Sequence, residues 1–110
     1  MTQVDSAANV SRGEAQISVG DHSYVLRPSF QALVAAEEEL GSLFDLVERA
    51  ADGRLLLSEI VALFWHCRVG RSEAMDRDLF GEDLLRLGLV RITPALRIML
   101  KQIVAGRADP

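Results

Sequence analysis

Apolar and polar residues alternate twice in quick succession near the start of this chain. Ile17 and Val19 alternate with Gln16 and Ser18, and Tyr24 and Leu26 alternate with Ser23 and Arg27. Period-two alternation predicts two short strands, each with one buried face. Gly20-Asp21 between them suits a tight turn, because glycine supplies the positive φ of a II′ turn. Val25 is apolar on the opposite face, so the second strand is expected to be covered on both sides. Pro28 lacks a backbone donor and biases Arg27 toward extended geometry, which ends the strand. A hairpin over residues 14–27 is the result.

Beyond Pro28 the period changes to that of helices. Ser29 can cap a helix over 29–40, with Phe30, Leu33, Val34 and Leu40 on its buried side and Gly41 closing it. Glu37, Glu38 and Glu39 sit at its end, where acids oppose the helix dipole, so their placement favours solvation or a partner. A shorter helix follows Ser42, with Leu43, Phe44, Leu46 and Val47 apolar, and Asp52-Gly53 ends it with turn chemistry. Ser58 is the expected N-cap of a third helix over 59–69. Ile60, Leu63, Phe64 and Cys67 fall there at i, i+3, i+4, i+7, Val61 and Trp65 widen the face, and Gly70 is the stop. Ser72 is expected to cap a short helical piece ending before Gly81, with another helix over 82–87 stopped by Gly88. Thr93-Pro94 reads as an N-cap with an N1 proline, starting a last helix that runs to about Val104. The fold class expected is α+β, mostly helical: an N-terminal β-hairpin packed on four to five short α-helices. Residues 1–12 read as a disordered leader, 13–105 as a single domain and 106–110 as a flexible tail.

Composition narrows the function. A chain of 110 residues supports one hydrophobic core. No apolar run reaches the roughly 18 residues of a membrane span, and no basic-then-apolar leader marks a secretory signal. One cysteine forms no intrachain disulfide, which fits a cytoplasmic setting. The net charge of −4 disfavours nucleic acid. The charge is also uneven: residues 1–60 carry 10 acids and 4 bases (−6), and residues 61–110 carry 6 acids and 8 bases (+2). Opposite signs at two ends can orient a partner or favour head-to-tail packing, although such asymmetry is most often just a solvated surface.

No catalytic constellation stands out. His66 and Cys67 are neighbours on a helix and point about 100° apart, so they do not share one small reaction site. Cys67, on the apolar face, reads as a small core residue. One cysteine and two histidines give no zinc-ligand spacing. The segment Asp76–Asp83 matches a calcium loop at positions one, three and six, but Phe80 falls at position five and Leu87 at position twelve, where oxygen ligands are required. It reads instead as a polar turn between two helices. No phosphate-cradling glycine loop is present. Catalytic, cofactor and metal residues are therefore all expected to be none. The final helix is apolar around much of its circumference, through Leu96, Ile98, Met99, Leu100, Ile103 and Val104. Such a helix is either central to its fold or meets another chain. Leu96, Met99, Leu100 and Ile103, with Trp65 as an aromatic anchor, are the candidate partner-binding residues.

The order of these features resembles a family of gene transfer agent tail proteins, similar to phage tail assembly chaperones and also labelled tail tube proteins. The resemblance spans roughly 13–105. It rests on Arg12-Gly13-Glu14, Leu26-Arg27, Leu33 with Ala36-Glu37, Leu40-Gly41, the run Leu57-Ser58-Glu59-Ile60-Val61-Ala62-Leu63, and Gly88-Leu89. Phe64-Trp65-His66-Cys67 departs from it, being bulkier than the small stretch expected there. The resemblance implies a non-enzymatic cytoplasmic protein of virion assembly, a chaperone holding a tape-measure or tail-tube protein on apolar helix surfaces. The last helix and the helix over Ser58–Val69 would provide that surface. Alternatives are a structural tail tube component retained in the phage-like particle, with a homo-oligomer as its form, or a small regulatory or nucleic-acid-binding module. Asp76, Asp78, Glu82 and Asp83 would repel phosphate in the last of these.

Overall fold

A computed structural model describes residues 14–19, 22–70 and 76–106. The order is β1 (Ala15–Val19), β2 (His22–Leu26), α1 (Phe30–Leu40), α2 (Leu43–Ala51), α3 (Leu57–Cys67), α4 (Arg77–Leu87) and α5 (Leu89–Ala105). The fold is α+β and mostly helical, as expected. The leader, the Gly20-Asp21 turn, the Ser72 cap and residues 107–110 lie outside the described residues.

β1 and β2 pair antiparallel, with Ala15 opposite Leu26, Ile17 opposite Tyr24 and Val19 opposite His22. The alternation does its work: Ala15, Ile17, Val19, Tyr24 and Leu26 are buried, while Gln16, Ser18 and Ser23 face water. A further pairing is not evident from the sequence. After α3 the chain turns extended beside β2: Leu26 bridges Arg68, Arg27 N–H donates to Cys67 O at 2.7 Å and Val69 N–H to Val25 O at 2.9 Å. These strand-like bonds end α3 at Cys67, before the expected stop at Gly70.

The hairpin's buried face meets α4 and α5, and α1 packs on α3. Phe64, Phe80, Leu26, Leu46, Leu63, Leu84, Ile92 and Met99 are fully enclosed. Each such side chain contributes about 1.5–3 kcal/mol of transfer free energy.

Local chemistry moves several boundaries. α3 begins at Leu57, and Ser58 is not its cap. The Glu59 carboxylate accepts the Leu56 N–H at 2.9 Å, and Arg49 holds that carboxylate with two bonds of 2.7 and 2.8 Å. Hydrogen bonding to Arg49 first, then to Leu56, lowers the Glu59 pKa. α4 is one helix capped by Asp76, whose side chain accepts the Leu79 N–H at 2.8 Å. Gly81 therefore lies mid-helix, against the Val61 side chain, and the segment Asp76–Asp83 is a cap and helix where a polar turn was expected. Gly88, at φ 98°, ends α4 as expected.

α5 starts at Leu89, more than a turn before Thr93-Pro94. Burial of Ile92 and Ala95 favours the extension. The N–H that Pro94 lacks would have served the carbonyl of exposed Val90, which water can reach, and Thr93 Oγ1 donates to Leu89 O at 2.8 Å.

α1 also turns differently. Its inward side centres on Ala36, with Leu33 and Leu40 packed on the core, so Phe30 and Val34 sit roughly 120–160° from Ala36 and face out, contrary to expectation. Ala36 has no bulk beyond Cβ, which allows α1 to approach α3 closely.

Candidate partner-binding furrow

Polar side chains collect on the α4 side of the molecule. Asp83, almost fully buried, accepts the Tyr24 hydroxyl at 2.7 Å and Arg86 Nη1 at 3.0 Å, and lies 3.0 Å from His22 Nδ1. Burial pushes its carboxyl up, but the hydrogen bonds from Tyr24 and His22, with the charges of His22 and Arg86, outweigh that and hold it below its ordinary value. Burial, reinforced by Asp83, pushes the Tyr24 phenol up to about 12. An ionised acceptor beside a phenol so raised is a poor proton-transfer pair near neutrality. The cluster is a tie between the hairpin and α4. Beside it Tyr24 meets Phe80 edge-on at 5.1 Å, Trp65 packs on Phe80 at 5.7 Å, and the Arg68 guanidinium lies 3.9 Å over the Trp65 ring.

Glu39 forms a second tie. It accepts Arg77 Nη1 at 3.0 Å through the oxygen that lies 2.8 Å from His66 Nε2. Bonds from Arg77, then His66, pull its carboxyl down to about 2. Glu37 accepts the Leu43 N–H at 3.1 Å at the start of α2. Two of the three end-of-helix glutamates thus find intramolecular work. Cys67 is buried among apolar side chains, its thiol pushed up to about 12 by burial, so thiolate chemistry is suppressed. Among the described residues no group of side chains is arranged to hold a metal ion, and no helix is long and apolar enough to cross a membrane.

Between α1, α2 and α5 the surface is open and apolar. α1, α2 and the end of α5 enclose a groove of about 450 Å³ lined by Phe30, Leu33, Val34, Phe44, Ile103 and Val104, with Glu37 and Glu48 at its edge. Phe30 is 83% exposed and Phe44 86% exposed. A shallower depression, sharing Val47 and Val104 with the groove, continues between α2 and α5. A third, lined by Leu55, Ile60, Leu96 and Leu100, reaches Leu89 at the start of α5. The three form one furrow along α5. Leu89, Leu96, Leu100 and Ile103 make its floor at helical spacing, and Arg97 borders it.

α2, which forms the other wall, is pinned from beneath. Leu46 is fully buried, and the Arg49 fork on Glu59 fastens α2 to the start of α3. Arg49 also bonds Asp45 at 3.1 Å, and the two acids raise its pKa further.

The candidate partner residues therefore separate. Leu96, Leu100 and Ile103 line the furrow. Met99 is fully enclosed in the core, and Trp65 is half-buried between Phe80 and Arg68, away from the furrow's lining. The body of α3 turns Ala62, Leu63, Phe64 and Cys67 inward. Reading by residue type places Phe30 and Val34 inward and leaves Phe44 and Val104 out of the candidate partner residues. A helical wheel carries the signal for one of them: Phe44 falls beside Glu48 and opposite Leu46, so its apolar side chain sits on the polar face of α2.

A family model described as "Phage tail tube protein, GTA-gp10" matches residues 12–106. No curated protein and no solved structure matches the chain. With nearly its whole length covered, the chain belongs to that phage and gene transfer agent tail family.

Proposed function

From this membership we propose that the protein serves non-enzymatically in assembling a phage-like tail, as a chaperone that holds a tape-measure or tail-tube protein on the furrow between α1, α2 and α5. The observation that carries the reading is the pair Phe30 and Phe44, two large aromatics left almost fully in water on adjacent helices and converging on one groove. Contiguous exposed apolar surface with a polar edge is a protein-interaction feature, and aromatic side chains dominate the energetics of such contacts. The acids Glu37 and Glu48 at the edge favour a partner segment with basic residues flanking its apolar ones.

The family's description as a tail tube protein favours a second reading, in which the chain stays in the finished tail as a structural subunit. Co-expression with the neighbouring tail-tube and tape-measure proteins, affinity capture, and mass analysis of purified particles separates the two. Capture of either partner by a chain missing from particles supports the chaperone. Retention in particles supports the structural subunit. Capture that survives Phe44→Asp combined with Val104→Asp would sink the furrow as the binding site in both.

A further inference from the structure

We propose that the furrow receives an amphipathic helix of the partner, with basic residues toward one end and acidic residues about two turns away. The proposal rests on the partner-binding reading and adds the shape and charge order of what binds. Shape follows from the lining. α1, α2 and α5 are helices, so backbone donors and acceptors along the furrow are spent largely within them, and the side chains there are mostly apolar. An extended segment laid over that surface would bury N–H and C=O groups with nothing to pair them. A helix carries its own backbone bonds and presents only side chains. The dimensions suit one. α5 has 17 residues, about 25 Å at 1.5 Å per residue, so a partner helix of about four turns runs along most of it. Ala50 and Ala51 line the middle of the α2 wall, where their small side chains let another helix come close.

Charge sets the order along the furrow. Glu37 and Glu48 edge the part lined by Ile103 and Val104, whereas Arg97 and Lys101 edge the part beside Leu100. All four are exposed. Glu48, Arg97 and Lys101 form no ion pair among the described residues, and Glu37 spends one oxygen on the Leu43 N–H. Arg97 precedes Val104 on α5 by about two helical turns. A helix lying in the furrow therefore meets acids at one place and bases about two turns on. Complementary residues at that spacing fix its position and direction, while the apolar lining supplies most of the affinity.

The test uses the full chain and peptides tiled across the neighbouring tail-tube and tape-measure proteins, each of about 20 residues, enough for a helix as long as α5. Fluorescence anisotropy reads binding, and circular dichroism reads the helix formed in the mixture. The peptide that binds is expected to repeat apolar residues at i, i+3, i+4 and i+7 and to gain helix on binding. A proline at its centre is expected to weaken binding by about 100-fold. Glu48→Lys and Lys101→Glu change exposed side chains outside any ion pair, so both variants keep the fold. Each is expected to weaken binding about three-fold or more at low salt, and reversing the facing charge on the peptide restores it. Binding without a gain in helix, or binding that tolerates the central proline, overturns the helical occupant. Indifference to both charge reversals overturns the charge order. Capture of a full-length tail protein with no peptide bound, or a furrow filled by a second copy instead, overturns the proposal and leaves the assembly role standing. Failure to capture any full-length tail protein removes both.

Discussion

Phe80 and Phe44 are the same residue on two amphipathic helices of similar length, yet Phe80 is wholly buried and Phe44 is almost wholly in water. Around Phe80 the molecule is sealed. Tyr24 and Trp65 pack on its ring, and Asp83 beside it draws together the hairpin and its own helix. Around Phe44 the polar groups stand at the edge. Glu37 spends one oxygen on the Leu43 N–H, and Glu48 borders the groove. Charges are used on one side to close the structure and on the other to border an opening. Buried contacts are therefore concentrated on the α4 side, and open apolar surface on the α2 side.

The sharpest way to break that contrast is to remove the two rings. Phe80→Ala empties a fully packed site and is expected to cost about 3–5 kcal/mol of unfolding free energy, measured by urea titration. The same truncation at Phe44 is expected to fall within about 0.5 kcal/mol. Similar losses at both positions would mean that the open side is structurally as essential as the closed one.

Next in size is the polar tie. Tyr24→Phe leaves the buried Asp83 carboxylate without its 2.7 Å donor and is expected to cost about 1–3 kcal/mol. Two pH windows follow. Asp83 and Glu39 both have folded pKa values below their ordinary ones, so the stability they supply is present above the ordinary carboxylate range and is lost as the pH falls through it. For Glu39 that loss continues to about pH 2, and it is small because the side chain is well exposed. Tyr24 runs the other way. Its folded pKa is raised from 10.0 to about 12, so its contribution is complete below pH 10 and disappears as the pH climbs toward 12. In Tyr24→Phe the alkaline loss should flatten, a difference that thermal melts across that range would detect.

How much of this was legible in the sequence depends on the range of the physics. The hairpin, the Ser29 cap, the helix after Ser42 and the stops at Gly41 and Gly88 follow from neighbours within a few residues, and each is readable. Ser58 failed as a cap because Glu59 was recruited by Arg49, ten residues away. α3 stopped early because β2 offered hydrogen bonds from across the fold. The apolar second face of α5 was visible as a stripe, and Leu96, Leu100 and Ile103 do line the furrow. Its other wall is not visible, because residue type places Phe30 inward and marks Phe44 only as apolar, without a side. What turns them outward is the choice of Ala36 and Leu46 as contact points, which depends on the helices they meet.

Gly81 gives the smaller effect, of opposite sign. Glycine followed by acids reads locally as a helix stop, but α4 runs straight through it. An added Cβ would meet Val61 Cγ1 at 3.6 Å, an ordinary contact, and the position has no positive φ. Gly81→Ala is therefore expected to stabilise by about 0.5–1 kcal/mol, through helix propensity and reduced freedom of the unfolded chain. A loss of stability would mean that α4 and α3 are packed too closely for even a methyl group.

The smallest stability effect belongs to the open side, and it sharpens the comparison most. Phe30→Ser and Val104→Ser remove apolar surface that is already hydrated in the free chain, so the folded state loses little contact and the unfolding midpoint should hardly move. The same substitutions should weaken capture of a tail partner by about ten-fold or more, because a partner desolvates what folding leaves wet. Urea titration and partner capture on the same two variants provide the test. Unchanged unfolding with lost capture is the pattern of a surface whose apolar groups serve another chain. Lost stability with unchanged capture would mean that Phe30 and Val104 belong to the core after all, and that the furrow is a packing defect between α2 and α5.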